Sequence, residues 1–104
     1  MLQRRLFKEW IYMTDSEKLV LLKQDLQMLT SANDDYLKSL ITAAESAIQR
    51  EGITLVENDM DIDMAVIQYA AYLFRKRASS ETSMPRFLRW KLNNILFSQK
   101  GRGS

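Results

Sequence analysis

The sequence predicts an all-α protein, a small four-helix domain with a buried central third helix. Three observations carry that reading. Apolar residues recur at helical spacing in four segments, and most of these segments open on a capping residue. Only three Gly and one Pro interrupt 104 residues, too few turn-formers for an all-β sandwich. The hydrophobic share of 46% is that of one globular domain and lies far above what a disordered chain carries.

The first segment, Met1 to Tyr12, mixes basic and aromatic residues with no clear period. It lacks the apolar core and cleavage site of a signal peptide. Met13-Thr14-Asp15-Ser16-Glu17 reads like a natural start, and Lys8-Glu9-Trp10 can be encoded by a purine-rich ribosome-binding stretch just ahead of it. Residues 1–13 therefore divide off as a translated leader or, alternatively, as an arm that docks Leu6, Phe7, Trp10 and Ile11 on a neighbour. The domain proper is expected over residues 14–98, with residues 99–104 a flexible tail.

The first helix is predicted from Thr14 to Leu29. Thr14 and Glu17 have capping-box spacing, and Leu19, Leu22, Leu26 and Leu29 follow at helical intervals. The second starts near Asn33, with Asp34 and Asp35 in the first turn, where the helix dipole favours anions. Its stripe is Leu37, Leu40, Ile41, Ala44, Ala47 and Ile48, and Gly52 supplies a left-handed stop. The third spans Met60 to Ala78 behind Asn58 or Asp59. Between Ala65 and Phe74 only Gln68 is strongly polar, so this helix is expected at the centre, with Leu73 fully buried. The fourth follows Pro85, suited to a first helical position. It turns Leu88, Leu92, Ile95 and Leu96 inward and sets Arg86, Arg89 and Asn93 on another face.

The residue inventory narrows the chemistry. The chain has no Cys and no His, which excludes disulfides, zinc–thiolate sites, a cysteine nucleophile and imidazole acid–base work. No catalytic constellation and no phosphate-cradling glycine loop is present, so no enzyme, metal or cofactor is expected. Glu57, Asp59, Asp61 and Asp63 cluster, but a calcium loop needs a Gly at its sixth position and a Glu at its twelfth, and neither follows. They read as capping and first-turn acids. No apolar run approaches the roughly 20 residues of a membrane span.

Charge is segregated. Residues 34–58 carry two basic and five acidic side chains, and residues 78–104 carry five basic and one acidic. Such a chain suits head-to-tail pairing or docking of its basic end on an acidic partner. Arg75-Lys76-Arg77 and Arg86-Arg89-Lys91 flank one loop, and the first alternative to simple solvation is contact with an acidic protein rim or with DNA phosphates.

Three segments together resemble the head–tail connector (head-completion adaptor) proteins of tailed bacteriophages and prophages, a family sometimes described as DNA-packaging proteins. They are Asp34-Asp35-Tyr36-Leu37-Lys38-Ser39-Leu40-Ile41-Thr42-Ala43-Ala44-Glu45, then Ala70-Ala71-Tyr72-Leu73-Phe74-Arg75-Lys76-Arg77-Ala78, then Met84-Pro85 followed by Leu88. The similarity runs from about Thr14 to Phe97, with Phe74 where the family often has Tyr and with no counterpart for residues 1–12. The resemblance implies a structural subunit of a homo-oligomeric ring below the portal protein, joining head to tail with other joining proteins. DNA would pass through without its sequence being read. It implies a place at the head–tail junction of the virion, reached from the bacterial cytoplasm during assembly, with no membrane. Within that picture, Arg75, Arg77, Arg86 and Arg89 are expected to converge at one tip and meet an acidic surface on a neighbour. The alternative is a small helical nucleic-acid-binding regulator.

Overall fold

The computed structural model describes residues 13–103, with side chains through Gly101. Four helices occupy them: α1 (Asp15–Asp25), α2 (Asp34–Arg50), α3 (Met60–Ala78) and α4 (Arg86–Gly103). No strand occurs among the described residues. The two readings of residues 1–12 lie outside them.

The α1 start follows the capping-box chemistry. The Thr14 hydroxyl accepts from the Glu17 amide at 3.2 Å, and the Glu17 carboxylate accepts the Thr14 amide at 2.9 Å. Met13, immediately before, is buried in the core.

The α1 end departs from the expectation. The helix stops at Asp25, not Leu29, and Leu29 is 96% exposed. Gln27 adopts a left-handed φ of 59°. Its amide donates to the Gln24 carbonyl and that of Met28 to the Lys23 carbonyl, the two bonds of a Schellman stop. Glycine usually occupies that position, so Gln27 gave no signal.

α2 ends as expected on Gly52, with φ 101°. A Cβ there would meet the Leu96 side chain of α4 at 3.4 Å, an ordinary contact, so the backbone angle is what calls for glycine. Asp59 caps α3, its carboxylate accepting from the Ile62 amide at 3.2 Å. α4 continues through Gly103, past the Ser98 at which the apolar pattern fades. Gln99 explains part of this: its side-chain amide bonds both the Thr54 amide and the Thr54 carbonyl at 2.8 Å, fastening the helix to the α2–α3 connection.

α3 is the central helix and packs on the other three. Lys18 against Asp63 and Asp25 against Arg75 set α1 parallel to it. Tyr36 against Phe74 sets α2 antiparallel. α4 crosses the remaining side, Leu88 and Leu92 fully buried beneath it. Ala65, Ala70 and Ala71 are buried in α3, which brings neighbouring backbones close. Leu73 is only half-buried, because it lies in the last part of α3, whose final turn, residues 75–78, is exposed.

Candidate functional site

The arginine set does not form one patch. Arg75 donates to the Asp25 carboxylate at 2.9 Å and to the Asp25 carbonyl at 3.2 Å, tying α3 to the end of α1. The Arg77 guanidinium lies 4.8 Å from the centre of the Tyr36 ring, at the start of α2. Arg89 forks onto Glu51 at the opposite end of α2, with contacts of 2.7 and 2.8 Å. Fifteen residues of helix separate Tyr36 from Glu51, about 22 Å at 1.5 Å per residue. The loop does join two basic segments, but internal partners pull their side chains to different ends of the domain. Arg86 is exposed at the start of α4 and forms no ion pair among the described residues.

The Arg89–Glu51 pair has electrostatic consequences. The hydrogen bonds from Arg89 hold the Glu51 carboxyl below its ordinary range, against a smaller opposing effect of burial. Beside it, burial pushes the Tyr69 hydroxyl up, and the Glu51 charge adds to that.

The acidic cluster divides in the structure. Asp59 caps and Asp61 sits exposed in the first turn of α3, as capping and first-turn acids do. Asp63 differs: it is buried and faces Lys18 at 3.6 Å, and Lys18 also meets Glu45 at 3.3 Å. Burial raises the Asp63 carboxyl, only partly countered by Lys18. This cluster joins α1, α2 and α3. Its signal was register, because Asp63 falls in line with Val66, Ile67 and Ala70 on the buried face. Among the described residues, no group of carboxylates is arranged to hold a metal ion, and no helix is long and apolar enough to cross a membrane.

The surface that the arginine reading overlooks is the outer face of α4. Phe87, Trp90 and Phe97 are 57%, 69% and 71% exposed. With Asn94 they stand at i, i+3, i+7 and i+10, one stripe of a helix. The opposite stripe carries the buried Leu88 and Leu92, so α4 is apolar on two faces and the domain covers one. Trp90 forms a ridge between two open surfaces. One runs toward Tyr72, Met84 and Arg86. The other is a groove of about 420 Å³ against the start of α3, where Asp59 and Asp61 face Trp90, Asn94 and Ile95. An exposed apolar stripe of this kind is the candidate functional surface of the domain. The sequence signal was present in Phe87-x-x-Trp90 and Phe97.

Compared with known proteins, the chain matches no family model, no curated protein and no solved structure.

Proposed function

We propose that this chain is an assembly protein, a structural subunit of a phage or prophage head–tail connector ring that docks below the portal. One observation carries the assembly part: the aromatic stripe Phe87, Trp90 and Phe97 lies open on a helix whose other face is already buried in the domain. Large side chains set out this way are stabilised by a second protein surface. The connector part rests on the ordered resemblance over Asp34–Glu45, Ala70–Ala78 and Met84-Pro85. A ring needs two different patches that meet, and an aromatic helix face is one of them.

The nucleic-acid regulator is the weaker reading. Phosphate binding wants available cations. Arg75 and Arg89 are instead paired with carboxylates, and Arg77 lies on Tyr36. The test is co-expression with portal proteins of tailed phages, followed by sedimentation and electron microscopy. A portal-bound ring of this chain is expected. Absence of any portal association, together with tight, salt-sensitive DNA binding by the monomer, would overturn the proposal.

A further inference from the structure

We propose that residues 1–12 of one copy dock in the α3–α4 groove of the next copy, so that the groove beside Trp90 is an acceptor for an N-terminal arm. The inference rests on the assembly reading above and adds the occupant.

The groove has a definite chemistry. Asp59 and Asp61 line one wall, and Trp90, Lys91 and Ile95 line the other, so the two acids outnumber the single cation. Its complement is an extended segment that interleaves cations with bulky apolar side chains. Residues 1–12 have that composition: Arg4, Arg5 and Lys8 alternate with Leu6, Phe7, Trp10 and Ile11, with Glu9 the one acid. Opposite charge on the two surfaces favours encounter and fixes register. Twelve extended residues reach about 40 Å, enough to cross a neighbouring domain's groove.

The departure point of the arm indicates which copy receives it. Met13 is buried and its backbone lies beside Asp63. Asp61 and Asp63 are two residues apart on α3, about 200° around the helix axis. Asp63 faces Lys18 on the α1 side, whereas Asp61 borders the groove on the α4 side. The arm therefore leaves from the side of α3 opposite its own groove. Donor and acceptor on different faces of one subunit give a heterologous, head-to-tail contact, which closes into a ring when the rotation permits.

Complementation tests this directly. The full chain should self-associate in sedimentation at low salt. The Trp90→Ser/Phe97→Ser variant, which keeps the arm and loses the acceptor, should be monomeric with unchanged helical circular dichroism. A chain beginning at Met13, which keeps the acceptor and loses the arm, should also be monomeric. Mixed, the two should form a 1:1 heterodimer and nothing larger, because one arm and one groove remain. A synthetic peptide of residues 1–12 should compete with association of the full chain, and Asp61→Lys should weaken that association tenfold or more. Wild-type association in either the groove variant or the competition experiment overturns the arm, while the connector reading stands on its portal test. A full chain that stays monomeric also overturns it, and shielding of Trp90 from acrylamide would then show the segment closing on its own groove.

Discussion

At the scale of the residue, the sharpest feature is a lysine held in the core by two carboxylates. Lys18 is followed by Leu19 and Leu22 on the buried side of α1, and its ammonium meets Glu45 and Asp63. Such a cluster is weak evidence for net stability, because desolvation offsets most of the attraction, yet removing one member leaves an uncompensated charge. Lys18→Met should therefore cost about 3 kcal/mol at pH 7 in urea unfolding. The pH dependence has a definite sign. Burial raises the folded-state carboxyl of Asp63 above its unfolded value, so the protonated form is favoured on folding. That contribution is fully present below the unfolded value and is lost as pH rises through the folded one. Without Lys18 the carboxyl moves further up, so the cost of Lys18→Met should shrink on acidification. A cost that stays constant from pH 7 to pH 4 would show that Asp63 does not titrate against Lys18. The acid-rich run Glu57 to Asp63 showed in the sequence as capping residues. What it did not show is that a lysine 45 residues earlier would claim the last of them.

At the scale of the element, the signals that succeeded were local and those that failed were not. The capping box of α1, the Gly52 stop of α2 and the Met60–Ala78 span of α3 are written in neighbouring residues. The α1 stop is not, because Gln27 holds a left-handed turn that its side chain does not favour. A left-handed L-residue costs about 1 kcal/mol or somewhat more. Gln27→Gly should then raise stability by roughly 0.5–1 kcal/mol, the greater freedom of an unfolded glycine offsetting part of the gain. Thermal melts can read this, and a lower melting temperature would mean that the Gln27 side chain contributes something the turn geometry does not. The extension of α4 was hidden for another reason, since Gln99 finds its partner at Thr54, far away in sequence. The arginines were visible as basic segments, but their partners Asp25, Tyr36 and Glu51 came from three different places in the chain. Helix register alone also overstated Leu73. Leu88→Ala, at a fully buried position, should cost about 2–5 kcal/mol, and Leu73→Ala clearly less. Equal losses would mean that α3 is covered along its whole length.

At the scale of the molecule, the described residues extend 40 × 38 × 19 Å. The short dimension is close to two helix diameters of about 10 Å, so among the described residues α4 has the core on one side and no further element on the other. That flatness is why a helix with two apolar faces leaves one open. The α1 cap and the Lys18 cluster are built from Thr14, Glu17, Lys18, Glu45 and Asp63. Removing residues 1–12 should leave the monomer's melting temperature within a few degrees, since about 1 kcal/mol corresponds to roughly 4–8 °C in a domain of this size. The new terminus even suits its site: it sets an ammonium beside the buried Asp63. Removing residues 1–13 is a different change. It takes away a buried Met side chain, of order 2 kcal/mol by transfer. The second truncation should melt well below the first, by 10 °C or so on the same scale. Calorimetry of the two chains, with intact mass confirming that Met13 is retained in the longer one, separates the cases. Equal melting would show that Met13 belongs to the arm and not to the core. A large loss already in the first truncation would show that residues 1–12 hold their own domain together and are not spare for a neighbour.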